Sequence, residues 1–443
     1  MKMLALLLSL SFTFGASAKD FDGYIVKFKS GGLEKFQSEK SSLVGNDLKP
    51  FAQSLGEFAV LKTKRKSALN MIARHPAVEY IEPNWIVTID SMKGETIEAE
   101  QGQSFQASNK NLPWDTQFSK QWALLNTGRN SATGGLFGSS PGKKGMDVKA
   151  LDAWNMTRGD SSVVVAVIDT GVDYKHQDLH RNIWVNELEK NGSLGVDDDG
   201  NGYVDDVYGY DFANNDSDPM DGHGHGTHCA GVIGATHNSI GIAGIMNEVT
   251  LLSVKFLSDK GSGTMVGAIR SVEYAVKNGA HILSNSWGGG PRSEALYDAI
   301  KAAGDQGVLF VAAAGNSKSN NDKKPTYPAT YQLDNVVSVG AMNGKGKRAS
   351  FSSYGARTVH VFAPGENIVS TIPGHKYQSM SGTSMATPLV SGIAGLLLSK
   401  NPGLTYEEIR DILIKSSNKS LDLNSISQSD GRVNAYRALL QTP

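Results

Sequence analysis

The strongest constraint on the fold is an alternation of short apolar runs with amphipathic segments between residues 163 and 311. The apolar runs are typical of strands buried on both faces of a sheet, and they lie at 163–168, 251–255, 282–284 and 308–311. Helical periodicity marks the intervening residues 264–276 and 293–305. Because strands that alternate with helices pair in parallel, the sequence predicts an α/β fold with a mostly parallel sheet and helices on both faces.

Three reactive side chains lie where such a sheet presents its sites, at strand ends and helix starts. Asp169 ends the run 163–168, His225 lies in a Gly-rich entry to a helix, and Ser384 precedes an apolar helical segment. A serine hydroxyl needs an imidazole to take its proton, and that imidazole needs a carboxylate to fix its tautomer. The sequence therefore predicts a catalytic triad of Asp169, His225 and Ser384. Ser384, at a helix N-terminus, would also direct free N–H groups at a developing oxyanion.

Four strings of residues resemble those of the subtilisin-like serine peptidases, and of thermitase-like members in particular. They are Val-Ile-Asp-Thr-Gly-Val-Asp at 167–173, His-Gly-Thr-His-Cys-Ala-Gly at 225–231, Ala-Ala-Gly-Asn at 313–316 and Gly-Thr-Ser-Met-Ala-Thr-Pro at 382–388. The chain order Asp, His, Ser is the one described for subtilisin itself. The resemblance implies an endopeptidase that hydrolyses peptide bonds of protein or peptide substrates through an acyl-enzyme, with the Asn316 side chain as an oxyanion donor.

The resemblance also implies two walls of a substrate pocket. An edge strand that pairs with an extended peptide is expected at Ser286, Trp287 and Gly288, and a facing wall at Ala313, Ala314 and Gly315. Small, uncharged walls suit a large apolar side chain and offer no acidic partner to Lys or Arg. We therefore expect broad specificity.

A zinc site is the competing interpretation of the histidines, because His223, His225 and His228 form a His-x-His-x-x-His run. That interpretation leaves Ser384 unexplained. Cys229 is expected to lie buried under His225 as a small apolar residue rather than to act as a nucleophile. A second alternative is a catalytically silent relative that only binds peptides, and nothing in the sequence favours it because the whole triad is present.

The N-terminus has the order of a secretory signal peptide: a charged start, an apolar run over 4–14, and the small residues Ala16-Ser17-Ala18. We expect a secreted protein, periplasmic or extracellular, that is processed by itself near Thr88 to Ser91. The expected regions are a signal peptide at 1–18, a small α+β unit resembling the family's inhibitory propeptide at 19–90, a linker or processing region at 91–111, and the peptidase domain at 112–443.

Composition and net charge argue against nucleic acid and membranes as binding partners. A formal net charge of -1 gives no basic field for nucleic acid, and no later segment is apolar enough to span a membrane. We expect a monomer whose partners are its substrates and its own propeptide. Cys229 is the chain's single cysteine, so no internal disulfide can form and another device must hold the loops of an exported protein.

We expect structural calcium ions to stabilise the loops, because calcium prefers oxygen ligands and the chain offers them in three stretches. The resemblance implies a strong site with ligands from Asp115, Asp178, Thr236, Asn238, Ile240 and Ile242, three of them backbone carbonyls. A second loop, similar to one in thermitase-like members, would bind through Asp211 and Asp216. The third begins like an EF-hand loop, with oxygens at Asp197, Asp199, Asn201 and Asp205, but has Tyr208 where that motif has Glu.

Overall fold

The computed structural model describes residues 21–44, 47–63, 65–89, 95–97, 112–131 and 141–443. The predicted signal peptide at 1–18 lies outside the described residues, as does the predicted linker at 91–111 apart from residues 95–97.

An N-terminal unit of strands and helices precedes the main body. Its elements are β1 (Phe21–Phe28), α1 (Gly32–Val44), β2 (Leu48–Phe51), β3 (Phe58–Leu61), α2 (Lys66–Ala73) and β4 (Val78–Thr88). The strands pair antiparallel in the order β2-β3-β1-β4. Phe28, Phe36 and Leu61 belong to a small core of its own. This unit has the α+β character that the sequence predicts for 19–90.

Two details of this unit differ from the prediction. The pattern of residues 54–61 predicts a strand over that whole range, but β3 begins only at Phe58, because Gly56 turns the chain with a φ of 144° that favours glycine. Helix α1 was not predicted. Among its described side chains only Leu33 and Phe36 are buried, so its apolar periodicity is too weak to detect in the sequence.

After β5 (Glu95–Ile97), the main body follows. Its helices are α3 (Ala150–Ala153), α4 (Glu187–Asn191), α5 (His225–Gly234), α6 (Met265–Lys277), α7 (Glu294–Gly304), α8 (Thr383–Lys400), α9 (Tyr406–Lys415) and α10 (Ala435–Gln441). Its strands are β6 (Gly159–Asp169), β7 (Gly209–Asp211), β8 (Glu248–Lys255), β9 (Ser262–Thr264), β10 (Ile282–Asn285), β11 (Leu309–Ala313), β12 (Val336–Met342), β13 (Val361–Pro364), β14 (Ile368–Ile372), β15 (Lys376–Met380), β16 (Asn418–Lys419) and β17 (Gly431–Arg432).

A nine-stranded sheet with the order β16-β17-β13-β12-β11-β10-β6-β8-β7 forms the centre of the body. Every adjacent pair is parallel except β16 with β17. Alternate residues of β6 belong to different cores, Val165 and Val167 to one that includes α5 and α8, and Ala166 and Ile168 to one that includes α6 and α7. The predicted mostly parallel sheet with helices on both faces is confirmed.

The N-terminal unit is joined to the body by strand pairing. Strand β4 continues antiparallel onto β9, with Val87 opposite Gly263, and the Ile89 N–H donates to the Gly261 carbonyl at 2.9 Å. Strand β5 pairs antiparallel with β15, which forms a hairpin with β14. None of the helices in the described part of the chain is both long and apolar enough to cross a bilayer.

Candidate active site

The three predicted triad residues come together from three elements of the body. Asp169 is the last residue of β6, His225 the first of α5, and Ser384 the second of α8. Gly224 precedes His225 with a φ of 100°, a conformation that a residue with a Cβ rarely adopts, and this turn starts α5 at the histidine. The local sequence therefore fixes where each side chain leaves the backbone.

Asp169 and His225 form a fully buried pair. Asp169 Oδ1 lies 2.6 Å from His225 Nδ1, and both side chains are 0% exposed. Burial lowers the pKa of His225, but the charge of Asp169 and the hydrogen bond between them outweigh it, so the pKa is raised above its ordinary value. Nε2 of His225 has no hydrogen-bond partner among the described residues. The carboxylate thus holds the proton on Nδ1 and leaves Nε2 free to accept another.

The Ser384 hydroxyl donates to the Ser286 carbonyl at 2.9 Å rather than to His225. A hydroxyl has one proton and rotates about its Cβ–Oγ bond, so this hydrogen bond is one of several that it can make. Nucleophile–base hydrogen bonds are often absent or long before substrate binds. Rotation toward the free Nε2 of His225 is the step that proton transfer requires.

Asn316 is oriented by the residue before the nucleophile. Its Oδ1 accepts from the Thr383 N–H at 2.9 Å and from the Thr383 hydroxyl at 3.0 Å. Its Nδ2 makes no hydrogen bond within the described ranges, and Asn316 lines the same cavity as Ser384. Together with the N–H of Ser384 in the first turn of α8, this amide can donate to a negative oxygen.

A cavity of about 300 Å³ lies beside the nucleophile. Of the predicted walls, it is lined by Ser286, Trp287, Gly288, Ala313 and Gly315.

Trp287 has a second role, since its ring packs against Phe256 at 4.8 Å and is 3% exposed. Ala314 does not line the cavity, which corrects the prediction. It alternates to the opposite side of the wall from its neighbours and is buried in the core with α5 and α8.

Sequence reasoning missed Lys324, which lines the cavity together with Pro325 and Thr326. Its position at the cavity could not be predicted from the sequence because this loop matches no motif. Its approach to Ser384 depends on a tertiary contact, the hydrogen bond from Asn321 Nδ2 to the Ala314 carbonyl at 2.9 Å.

The three histidines do not converge on one point. His228 donates from Nε2 to the carbonyls of Ile368 and Gln378, and burial lowers its pKa to about 3, so it is neutral. The His223 ring lies 6.4 Å from that of His225. Neither joins the group of possible metal ligands found among the described residues around His225. The geometry gives the zinc interpretation no support.

Cys229 lies beside the triad as predicted. It is 1% exposed, its Sγ is within 4.8 Å of ligand atoms of Asp169 and His225, and it donates to the Ser384 carbonyl at 3.5 Å. Burial raises the pKa of this thiol well above its ordinary value, which disfavours the thiolate needed for nucleophilic attack.

The first predicted calcium site has its side chains in contact. The N–H of Asn238 donates to Asp115 Oδ1 at 3.0 Å, and Asn238 Nδ2 lies 3.2 Å from Asp178 Oδ1. The other oxygen of Asp115, Oδ2, is buried without a partner in the described chain. Burial raises the pKa of Asp115 to about 7 and that of Asp178 to about 6.

The chemistry of this donor set fits a hard cation. Two buried carboxylates lie near one another and one carboxylate oxygen is unpaired, an arrangement that costs free energy unless a positive charge is bound. The carbonyl oxygens of Thr236, Ile240 and Ile242 accept no hydrogen bond from the described residues, so they too are available as ligands.

The second predicted site is not assembled in the same way. Both oxygens of Asp211 accept from its own loop, from the N–H of Ala213 and from the N–H and Nδ2 of Asn214. Asp216 pairs with Asp211 only through the backbone, and its carboxylate accepts from the Asp218 N–H. A calcium ion on Asp211 and Asp216 stays a prediction.

In the third acidic stretch, the carboxylates that lie close together are partly different from the predicted calcium ligands. Carboxylate oxygens of Glu189, Asp199 and Asp206 lie within 4.8 Å of one another. Asp197 caps the N–H groups of Asn201 and Gly202.

Two further residues of this stretch that were predicted to bind calcium, Asn201 and Asp205, form hydrogen bonds to other protein groups. Asn201 donates through its amide to Asp199 and Asp206, and Asp205 accepts from the Gly195 N–H. Glu189 was not predicted because it lies in helix α4, outside the loop motif. Asp206 was not predicted because it follows Asp205, the last position matched to that motif.

Comparisons with known proteins agree with this geometry. The family model for the subtilase family matches residues 160–433. Thermitase of Thermoactinomyces vulgaris is 38% identical over 293 residues, which cover 66% of this chain and 93% of thermitase. A thermophilic serine proteinase of Bacillus sp. strain AK1 is 40% identical over 65% of this chain and 64% of its own length. Subtilisin DY of Bacillus licheniformis is 39% identical over 57% of this chain and 82% of its own length.

Proposed function

This chain belongs to the subtilase family and is a serine-type endopeptidase, and from that premise we propose that it is a secreted, calcium-stabilised enzyme made as a self-processing precursor. In this proposal residues 1–18 direct export, 19–90 form an inhibitory propeptide, 91–111 form a linker or processing region, and 112–443 are the peptidase domain, which acts as a monomer on varied protein substrates.

The reaction proceeds through an acyl-enzyme. Ser384 attacks the scissile carbonyl while Nε2 of His225 takes its proton, and Asp169 keeps the other imidazole proton on Nδ1 and stabilises the charged ring. The Asn316 amide and the Ser384 N–H hold the oxyanion. His225 then gives its proton to the leaving amine, and water repeats the sequence to release the acid product.

The observation that carries the precursor proposal is the path of the chain on either side of residues 90–94. On one side, strand β4 pairs with β9, and Ile89 lines the cavity next to Ser384. On the other side, β5 pairs with β15, whose last residue, Met380, is four positions before Ser384 in the sequence. Because the two flanking strands pair with edges near the nucleophile, we propose that the self-processing cut falls between Ile89 and Glu95.

Contacts of the N-terminal unit with helix α7 support its role as an inhibitor. Glu82 accepts from the Ser293 hydroxyl at 2.5 Å and from the Glu294 N–H at 2.8 Å, so it caps the start of α7. Tyr80 donates to Asp298 at 2.7 Å on the same helix. These bonds hold the unit while its last strand extends into the active site.

Further contacts reach helix α6. The Ser54 N–H and hydroxyl both donate to Glu273 at 2.7 Å, and the Val266 N–H donates to Asn84 at 2.9 Å. Asn84 thereby caps an N–H group in the first turn of α6. An inhibitor that binds two helices beside the cleft stays in place after its backbone is cut.

Calcium would be held first by Asp115, Asp178, Asn238 and the carbonyls of the 236–242 loop. When bound, the ion supplies positive charge to two buried carboxylates and links the segment carrying Asp115 to the body. It takes no part in bond cleavage, and its effect is on stability because it binds the folded chain.

The test is to express the full chain and its Ser384→Ala variant with calcium, and to follow both by gel and intact mass. We expect the wild type to lose about 70 to 75 residues after signal removal, at a junction between Ile89 and Glu95, while the variant keeps them. The size estimate is the number of residues from position 19 to a junction between Ile89 and Glu95.

A Ser162→Ala variant serves as the matched control, because Ser162 is an exposed serine that does not line the cavity. It should process as the wild type does. If the Ser384→Ala chain were cut at the same junction, another protease would make the cut and the self-processing proposal would be wrong.

A further inference from the structure

Among the residues that the structure describes, those lining the cavity beside Ser384 are uncharged with one exception. Apart from the apolar Ile89 and Trp287 they are mostly small or polar, and Lys324 alone of them carries a charge at neutral pH. Ser317 and Ser319, which lie in the same loop, add hydroxyl donors to that side of the cavity. No acidic side chain of the described part of the chain lines it. The electrostatic character of the cavity is therefore set by one ammonium group.

The Lys324 ammonium is not neutralised within the protein. Lys324 is exposed, and its side chain takes part in none of the ion pairs or hydrogen bonds formed by the described residues. Asp322, the acid nearest to it in the sequence, instead accepts from the N–H and hydroxyl of Thr358 at 3.0 Å and 2.8 Å. Asp259, which precedes β9 on the opposite side of the cleft, is paired with Lys255 at 2.7 Å.

The loop that carries Lys324 is fixed against the oxyanion wall. Asn321 is 1% exposed, and it donates from Nδ2 to the Ala314 carbonyl at 2.9 Å and accepts from the Thr326 hydroxyl at 3.1 Å. The Lys324 N–H donates to the Asn320 carbonyl at 2.9 Å. The ammonium is therefore tethered by an anchored backbone beside the cavity, and only its own flexible side chain moves.

The sequence of this chain offers a matching group. Strand β4 leads to Ile89, which lines the cavity, and the next residue in the sequence is Asp90. A substrate that pairs with β9 as β4 does would bring its residue in the place of Ile89 to the cavity that Lys324 lines. Asp90 itself lies outside the described residues.

We propose that Lys324 gives this enzyme a preference for a negatively charged side chain, Asp or Glu, on the residue whose carbonyl is attacked. The inference rests on the proposed function and adds a charge preference to its broad tolerance of side-chain size. The ammonium donates to the substrate carboxylate, and binding of the substrate covers the pair and excludes water, which strengthens it. Lys324 is then a specificity-determining residue and takes no part in bond cleavage.

The test uses peptides that differ only at the residue before the scissile bond, in the isosteric pairs Glu with Gln and Asp with Asn. We expect wild-type kcat/KM to be higher for the acid of each pair. Lys324→Gln should lower the Glu-to-Gln ratio about tenfold, the order expected for losing a hydrogen bond between charged groups. Lys324→Arg should keep the preference, and Lys324→Glu should shift it toward Lys.

Two controls separate this effect from a general charge effect. Lys323→Gln removes the same charge from an exposed neighbour that does not line the cavity, and it should leave the ratio unchanged. Raising the salt concentration should lower the wild-type ratio and leave that of Lys324→Gln unchanged, because salt screens the exposed Lys324 ammonium before the substrate binds and the variant has no such charge.

The possible outcomes separate a failure of the charge preference from a failure of the proposed peptidase function. If the wild type and Lys324→Gln cleaved the neutral peptides and shared the same Glu-to-Gln ratio, the charge preference would be overturned and the peptidase would stand. If neither enzyme cleaved any peptide or reacted with a fluorophosphonate, the proposed function would fall and the inference with it.

Discussion

At the scale of single residues, the catalytic groups were predictable and one specificity group was not. Asp169, His225 and Ser384 each lie in a string that specifies both chemistry and local backbone, such as the glycine before His225. Lys324 lies in no such string. It reaches the cavity because buried Asn321 binds the carbonyl of Ala314, directly after β11, and a contact of that kind leaves no mark in the local sequence.

Asn316 is the residue whose role can be measured most simply. Asn316→Ala should lower kcat about 100- to 1,000-fold with little change in KM, a magnitude taken from the corresponding donor in subtilisin, a relative of this chain. The reason is that its Nδ2 meets negative charge only in the transition state. Steady-state kinetics on one peptide substrate checks this.

Asn320→Ala is the matched control, because Asn320 lies four residues further along the same loop and does not line the cavity. It should keep kcat near the wild-type value. A rise in KM for Asn316→Ala at unchanged kcat would contradict the oxyanion assignment and make Asn316 a ground-state binding residue.

At the scale of elements, the long periodic segments were predicted well and the short ones were not. The predicted strands at 163–168 and 251–255 lie within β6 and β8, and the predicted helices correspond to α6 and α7. The residues of the metal-binding loops were harder to predict. The third acidic cluster takes Glu189 from helix α4, which packs beside the loop, so a loop motif alone could not identify the full set of carboxylates.

The first calcium site predicts an unusual dependence of stability on pH. Without calcium, the pKa of Asp115 is about 7 and that of Asp178 about 6, both above the ordinary value of 3.8. The folded chain then binds more protons than the unfolded chain between about pH 4 and pH 7, so its free energy of unfolding falls as pH rises through that window. Saturating calcium should remove this fall and raise Tm most at neutral pH.

Thermal unfolding of the Ser384→Ala chain, with calcium or with a chelator, measures this without self-digestion. Asp115→Asn should lose most of the calcium response in Tm. Asp152→Asn, an exposed acid distant in sequence from the site, should keep it. An unchanged calcium response in Asp115→Asn would place the stabilising ion elsewhere.

At the scale of the whole molecule, the chain contains a peptidase and a second unit bound over its cleft. Strand β4 extends the sheet of the N-terminal unit onto β9, and Glu82 and Asn84 cap the helices α7 and α6 of the body. This docking was expected from a family resemblance, yet its contacts could not be read from the sequence. They join residues about 200 positions apart, such as Glu82 and Ser293, and only the folded chain brings them together.

The central claim is that Ser384, activated by His225, is the nucleophile of a peptidase. The most direct measurement is covalent labelling with a fluorophosphonate of wild-type and variant proteins whose N-terminal unit has been cut away by an added protease, followed by mass spectrometry of the labelled peptide. Labelling should occur on Ser384 alone, should be lost in Ser384→Ala, and should be at least 100-fold slower in His225→Ala, because the serine then lacks its base. Rapid labelling of another residue, or peptide hydrolysis by Ser384→Ala at the wild-type rate, would contradict the account.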